Sequence, residues 1–168
     1  EVPARPIPLM FDSYRITLDR KVVTRARGRA RSSRRPHNLA RPIFVSAVIE
    51  ALADQLAAQI GTNLVDGGNL LSRDDIADIR SEMRADPDIL DAIDALWPQL
   101  TPQQVLTDLL ASTDLLASAA PALTAEQIGL LHRTGPRGRF SAADAPLLDE
   151  IAELLGVDDA ADRERAAR

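Results

Sequence analysis

The sequence contains no cysteine. Disulfides, thiolate zinc sites and cysteine nucleophiles are therefore excluded together. Histidine occurs twice, as His37 and His132, too few for a metal site built on several imidazoles. The single lysine, Lys21, lies outside any glycine-rich turn, and no G-x-x-x-x-G-K-[ST] phosphate loop is present. No G-x-G-x-x-G turn, H-E-x-x-H pair, EF-hand loop or G-x-S-x-G elbow occurs either. No apolar run is long enough to span a bilayer and no charged-then-apolar leader is evident, so the expectation is a cytoplasmic protein without a membrane role.

What is present is a globular composition, 45% hydrophobic and 27% charged, in 168 residues. That length supports one domain with a real core. The net charge of −5 hides an asymmetry. Residues 1–42 carry 11 basic and 3 acidic side chains, a net of +8, and residues 43–168 carry 9 and 22, a net of −13. Nearly all the basic residues are arginine, which keeps its charge when partly buried and forks onto carboxylate or phosphate.

Periodicity predicts a mainly α fold, a multi-helix domain of short capped helices with a small N-terminal β-hairpin. The expected organisation is a hairpin over 1–18, a basic segment over 19–42, a helical core over 43–156 and a charged tail over 157–168. Leu9 to Phe11 and Tyr14 to Leu18 read as strands around an Asp12-Ser13 turn. A lone hairpin is marginal and has to pack on something else. Asp19 is a plausible N-cap for a helix over 20–32. Pro36 and Pro42 punctuate a loop or helix start over 33–42. Phe44, Val48, Leu52, Leu56 and Ile60 then fall on one stripe at steps of four, joined by Ala47 and Ala51, with Gly61 in the C-terminal cap position. Residues 62–71, which include Asp66-Gly67-Gly68-Asn69, read as a flexible turn.

Beyond it, one device recurs. Ser72 with Asp75, Thr101 with Gln104, Thr124 with Gln127 and Ser141 with Asp144 resemble capping boxes, the Asp versions reaching less well. The last opens a helix carrying Leu147, Leu148, Ile151, Leu154 and Leu155, closed by Gly156. Two further helices are expected over 88–97 and 114–120. Trp97 fits either helix-end core packing or an interface anchor. No heptad or 34-residue repeat is present.

Arg20, Lys21, Arg25, Arg27, Arg29, Arg31, Arg34 and Arg35 form the basic segment. At helical spacing they spread around the axis, and no aromatic residue interleaves them, which disfavours a dedicated groove or a stacking platform for single strands. Three uses stand equal: non-specific phosphate binding, an acidic protein surface, or pairing with this chain's own acidic helices. Arg25, Arg29, Arg34, Arg35 and His37 are the candidate contacts for a polymerase or nucleic acid. Asn38 is expected to cap the following helix while His37 packs locally. The alternative is a His37 contact to phosphate or carboxylate. His132 ends a helix, where an imidazolium is mildly favoured. Adjacent acids such as Asp74-Asp75 point apart on a helix and read as solvated surface.

Four segments resemble one family. They are residues 11–18 (F-D-S-Y-R-I-T-L), 33–41 (S-R-R-P-H-N-L-A-R), 96–102 (L-W-P-Q-L-T-P) and 141–150 (S-A-A-D-A-P-L-L-D-E), the last running on to Leu154-Leu155-Gly156. In order and spacing they are similar to the actinobacterial HelD proteins, helicase-like ATPases of the UvrD/Rep class that bind RNA polymerase. The resemblance covers residues 2–159. Phe140 stands where the family commonly has tryptophan, and Ala145 where it commonly has valine. Both changes are apolar and leave the fold expectation intact.

The resemblance implies a piece of a longer protein, an insertion in the first motor domain between the phosphate loop and a D-E-x-Q motif. ATP and magnesium belong to that parent, and no catalytic, cofactor or metal residue carries over to these positions. The implied role is non-catalytic: engaging RNA polymerase and helping to open its clamp, so that stalled polymerase is released and recycled. A DNA- or RNA-binding module of a superfamily 1 helicase and a structural spacer are the alternatives. The chain is expected to hydrolyse no ATP, because it lacks the phosphate cradle and the magnesium-binding acids. Turnover that follows the pure chain through ion exchange and sizing would contradict this.

Overall fold

The computed structural model describes residues 3, 5–61, 71–133 and 140–156, and the turn expected over 62–71 falls almost wholly outside them, as does the tail over 157–168. Among the described residues the fold is mainly α, with eight α-helices and one two-stranded antiparallel sheet. They divide into two compact units, one of residues 1–35 and 40–99 and one of residues 36–39 and 100–168. The expected helical core over 43–156 is accordingly shared between two clusters of buried side chains.

The first unit starts with the hairpin, β1 (Ile7–Phe11) and β2 (Tyr14–Leu18), in the register Phe11↔Tyr14, Leu9↔Ile16 and Ile7↔Leu18. Asp12 and Ser13 have φ of 48° and 75°, the left-handed pair a two-residue hairpin turn needs. Leu9, Phe11, Ile16 and Leu18 are buried, whereas Tyr14 is exposed. The sheet packs on α2 (His37–Ile60), whose glutamines finish the outer edge of β2. Gln55 accepts from Thr17 N–H at 3.0 Å and donates to Thr17 C=O at 2.9 Å, and Gln59 donates to Arg15 C=O at 2.8 Å. An edge strand otherwise presents unpaired backbone groups, and here side-chain amides take the place of a third strand.

Helix α1 (Arg20–Ser32) is capped by Asp19, which accepts from Val22 N–H at 2.7 Å. Val23, Ala26 and Ala30 bury one side of it. In α2, Phe44, Val48, Leu52 and Leu56 are buried as the spacing predicts, and Ile60 is partly buried. The residues that complete the buried stripe are Ile49, Ala53 and Ala57, on the flank opposite Ala47 and Ala51.

Two expectations at the start of α2 are corrected. The helix begins at His37 and runs through Pro42. Proline there forfeits one bond to the Asn38 carbonyl. Ala40 and Phe44 are buried on either side of it, so packing outweighs that loss. Asn38 consequently lies inside the helix and does not cap it. A third correction concerns length: α2 is long and apolar enough to cross a membrane by length and composition, although Glu50 and Asp54 interrupt the run in the sequence. Its buried stripe faces the first unit's own core.

Helices α3 (Arg73–Met83) and α4 (Pro87–Leu96) complete that core with Met83, Ile89, Ile93 and Leu96. Helix α3 opens on the Ser72–Asp75 box, and the Asp75 carboxylate reaches Ser72 N–H at 2.8 Å despite its shorter side chain. Asp86 caps α4, one turn-residue earlier than the sequence suggests. Trp97 is core, stacked on Phe44 with ring centroids 5.2 Å apart.

The second unit contains α5 (Pro102–Leu110), α6 (Thr113–Ala119), α7 (Ala125–Leu131), a 3-10 turn over Ala142–Asp144 and α8 (Ala145–Leu155). Thr101 with Gln104 and Thr124 with Gln127 form the expected boxes. Helix α5 packs on α8, and Leu106, Leu110, Leu116 and Ile128 form the core with Leu148, Ile151 and Phe140 against it. Leu147 and Leu154, expected in the core, are exposed. Gly156 ends α8 at φ 71°, and a Cβ there would lie 2.7 Å from Pro36 Cβ, so both backbone and space require glycine.

Asp144, although 1% exposed, is fully engaged. It accepts from Arg133 Nη1 at 2.9 Å, from Ser141 N–H at 2.7 Å and from Ser141 Oγ at 2.9 Å. The Arg133 guanidinium and the two Ser141 donors hold its carboxyl well below the usual carboxylate range.

Two outcomes follow for stability. Leu52→Ala, in the middle of the buried stripe, lowers unfolding free energy by about 2–5 kcal/mol in a denaturant titration; an unchanged midpoint would mean that the stripe faces a partner. Asp144→Asn lowers the melting temperature at pH 7. Because the folded carboxyl is depressed, its contribution is present above the unfolded pKa of about 4 and disappears as pH falls toward the folded value. The gap between wild type and variant therefore narrows below about pH 4, and a gap independent of pH would contradict the assignment.

Candidate functional site

The basic segment becomes a defined surface once α1 is in place. Val23, Ala26 and Ala30 recur at helical spacing and are buried at 0–1% exposure, so half of the helix circumference is taken up by the core. The charged positions Arg20, Lys21, Arg25, Arg29 and Arg31 are all on the exposed half. The expected spread around the whole axis is thus corrected to a spread over one half. The signal for this was in the sequence, in the three small apolar residues at i, i+3 and i+7.

Two arginines of the segment have structural work. Arg27 is partly buried and donates from Nη2 to the Leu96 carbonyl at 2.6 Å, pinning α1 to the end of α4. Arg29 pairs with Glu50 of α2 at 2.7 Å, both groups being substantially exposed at 59% and 41%. Pairing with this chain's own acids therefore accounts for Arg29 of the segment. Among the described residues Arg20, Lys21, Arg25, Arg31, Arg34 and Arg35 form no ion pair. Arg41, just beyond the segment, donates to the Trp97 carbonyl at 3.2 Å and pairs with Asp94.

The face is electrostatically costly to build. Lys21 and Arg25, Arg25 and Arg29, and Arg27 and Arg31 are like charges four apart on a helix, each pair opposing the helix by about 0.2–0.5 kcal/mol. Arg20 and Lys21 stand in the first turn, where the helix dipole disfavours cations, while Arg29 and Arg31 in the last turn are favoured. At 1.5 Å per residue the row from Arg20 to Arg31 is about 16 Å long.

At the C-terminus of α1 the chain turns through Arg34, whose φ is 55°, with the Ser33 hydroxyl donating to Ala30 C=O at 2.6 Å and accepting from Arg35 N–H at 3.3 Å. This turn leaves Arg34 and Arg35 exposed directly after the helix. Of the five sequence candidates, Arg25, Arg29, Arg34 and Arg35 belong to the first unit, with Arg29 already paired. His37, half-buried at the first position of α2, belongs to the second unit. Sequence reasoning left Arg20, Lys21 and Arg31 out of the candidates, although they share the face. Among the described residues no group of three or more His, Cys, Asp and Glu is arranged to hold a metal ion.

No protein-family model and no curated protein matches the chain.

Proposed function

We propose that this chain is a non-catalytic helical domain of a HelD-type, helicase-like ATPase, and that it engages RNA polymerase and helps to hold its clamp open. The reading starts from the four segments that resemble that family. The observation that carries it is that three of these four segments, 33–41, 96–102 and the one closed by Gly156, meet one another within the units. In the second unit Asn38, from residues 33–41, donates from Nδ2 to the Leu100 carbonyl at 2.8 Å and accepts from Leu100 N–H at 3.0 Å, Leu100 lying in residues 96–102. Gly156, which closes the fourth segment, leaves room for Pro36 and Leu39 of the second. In the first unit Arg41 donates to the Trp97 carbonyl. Residues that are dispersed along the chain and have no catalytic chemistry are thus joined by specific polar contacts that maintain an architecture.

Such an architecture suits mechanical work. To open a clamp, a domain has to bind the open form more tightly than the closed one, since equal affinity for both shifts no population. It also has to resist deformation. Among the described residues, eight α-helices, most with side-chain caps, and β2 edged by α2 glutamines supply that rigidity locally.

The purified chain is expected to co-elute with core RNA polymerase and to raise the open population of a polymerase labelled with a fluorophore pair across its clamp. No complex at micromolar concentration, or a complex with an unchanged clamp distribution, would contradict the proposal.

A further inference from the structure

We infer that the exposed half of α1, continued by Arg34 and Arg35, is a binding surface for the phosphate backbone of duplex DNA, engaged without regard to base sequence. The inference is independent of the polymerase reading. It begins with the six cations of this surface that form no ion pair among the described residues: Arg20, Lys21, Arg25, Arg31, Arg34 and Arg35. Four of them are carried on a helix whose other side is locked into a core and two on the turn that follows it, so the spacing of their backbone positions along α1 is fixed before a ligand arrives. Five of the six are arginines, whose planar fork matches phosphate oxygens.

The rest of the surface decides which polyanion it takes. An acidic protein partner would be expected to meet an apolar centre ringed by charge, because buried apolar and aromatic anchors supply most of the affinity of protein interfaces. The exposed positions of α1 are Arg20, Lys21, Thr24, Arg25, Gly28, Arg29, Arg31 and Ser32, with no apolar side chain larger than a threonine methyl. A surface of cations alone gains its affinity by releasing counterions, which a nucleic-acid backbone supplies in quantity. No aromatic residue lies in α1 or the turn after it to stack on unpaired bases, which favours a duplex over a single strand. Gly28 has open space around it, so the DNA backbone can come close. Around the helix, Arg20 and Arg31 lie toward one edge of the exposed half and Arg25 toward the other, at 100° per residue. With its other half in the core, α1 presents both edges of this exposed half to the backbone phosphates.

The test is fluorescence anisotropy of a labelled 20-base-pair duplex of arbitrary sequence, titrated with the whole 168-residue chain between 50 and 200 mM salt. The slope of log affinity against log salt is expected to lie near −5, about 0.9 for each of six contacts. Arg25→Gln with Arg31→Gln is expected to flatten it by about 1.8. Arg29→Gln with Glu50→Gln removes a pair that contributes no net charge and is expected to leave slope and affinity unchanged. Glu50→Gln alone frees Arg29 and is expected to tighten binding. A second duplex of different sequence is expected to bind equally. The substituted side chains are exposed or partly exposed, and a circular-dichroism melt confirms that each variant folds. The inference is overturned if the duplex does not bind at 50 mM salt, if the Arg29/Glu50 pair of changes costs as much as the Arg25/Arg31 pair, or if a polyglutamate probe binds in place of the duplex through the same arginines.

Discussion

Burial of the α2 stripe is the constraint on which the first unit depends. Phe44, Val48, Ile49, Leu52 and Leu56 are almost wholly removed from water, and each such side chain contributes about 1.5–3 kcal/mol when fully buried. One helix cannot cover its own stripe. The hairpin, α1, α3 and α4 each bring a few apolar residues to it, and none of them has a core of its own. The consequences extend to the surface. Because α1 gives Val23, Ala26 and Ala30 to this core, its cations are left on one side, outward and in fixed register. The proposed chemistry of the basic face is therefore a product of packing as much as of charge.

The second unit is organised differently. Its core is four buried aliphatic residues with partly buried neighbours, and polar contacts carry more of its definition. Asn38 brackets the Leu100 backbone, Asp144 gathers Arg133 and Ser141, and Gly156 allows a close approach of Pro36 and Leu39. Small cores leave little margin, so specific polar anchoring has more to do. Three of the four segments singled out in the sequence, 33–41, 96–102 and 141–156, contribute residues to these anchors.

Much of the fold could be read from the residues. The hairpin turn at Asp12-Ser13, the Asp19 cap, the four Ser/Thr boxes and the Gly156 stop all act over a few residues, and local chemistry decides them. The sequence was misleading where tertiary contacts outweighed local preference. Pro42 marks a stop by itself, but Ala40 and Phe44 bury the helix on both sides of it. Asn38 has the composition of a cap, but its amide has a distant backbone partner 62 residues away. Leu147 and Leu154 fit a core pattern, yet α5 covers only one flank of α8. For the candidate face, the charges were legible and their arrangement was not, because the eye follows the arginines and the decisive positions were the alanines between them.

The central claim is that packing of α1 confines the cations to one outward face. The absence of cysteine allows a direct measurement: single-cysteine replacements along α1, each followed by the rate of labelling with a soluble thiol reagent in the folded chain. Cysteine at positions 24, 25, 28 and 31 is expected to label at rates near those of the unfolded chain, and at positions 26 and 30 to be protected by orders of magnitude. Equal labelling at positions 25, 26, 30 and 31 would show that α1 is solvated on all sides, and the account of the face would fail with it.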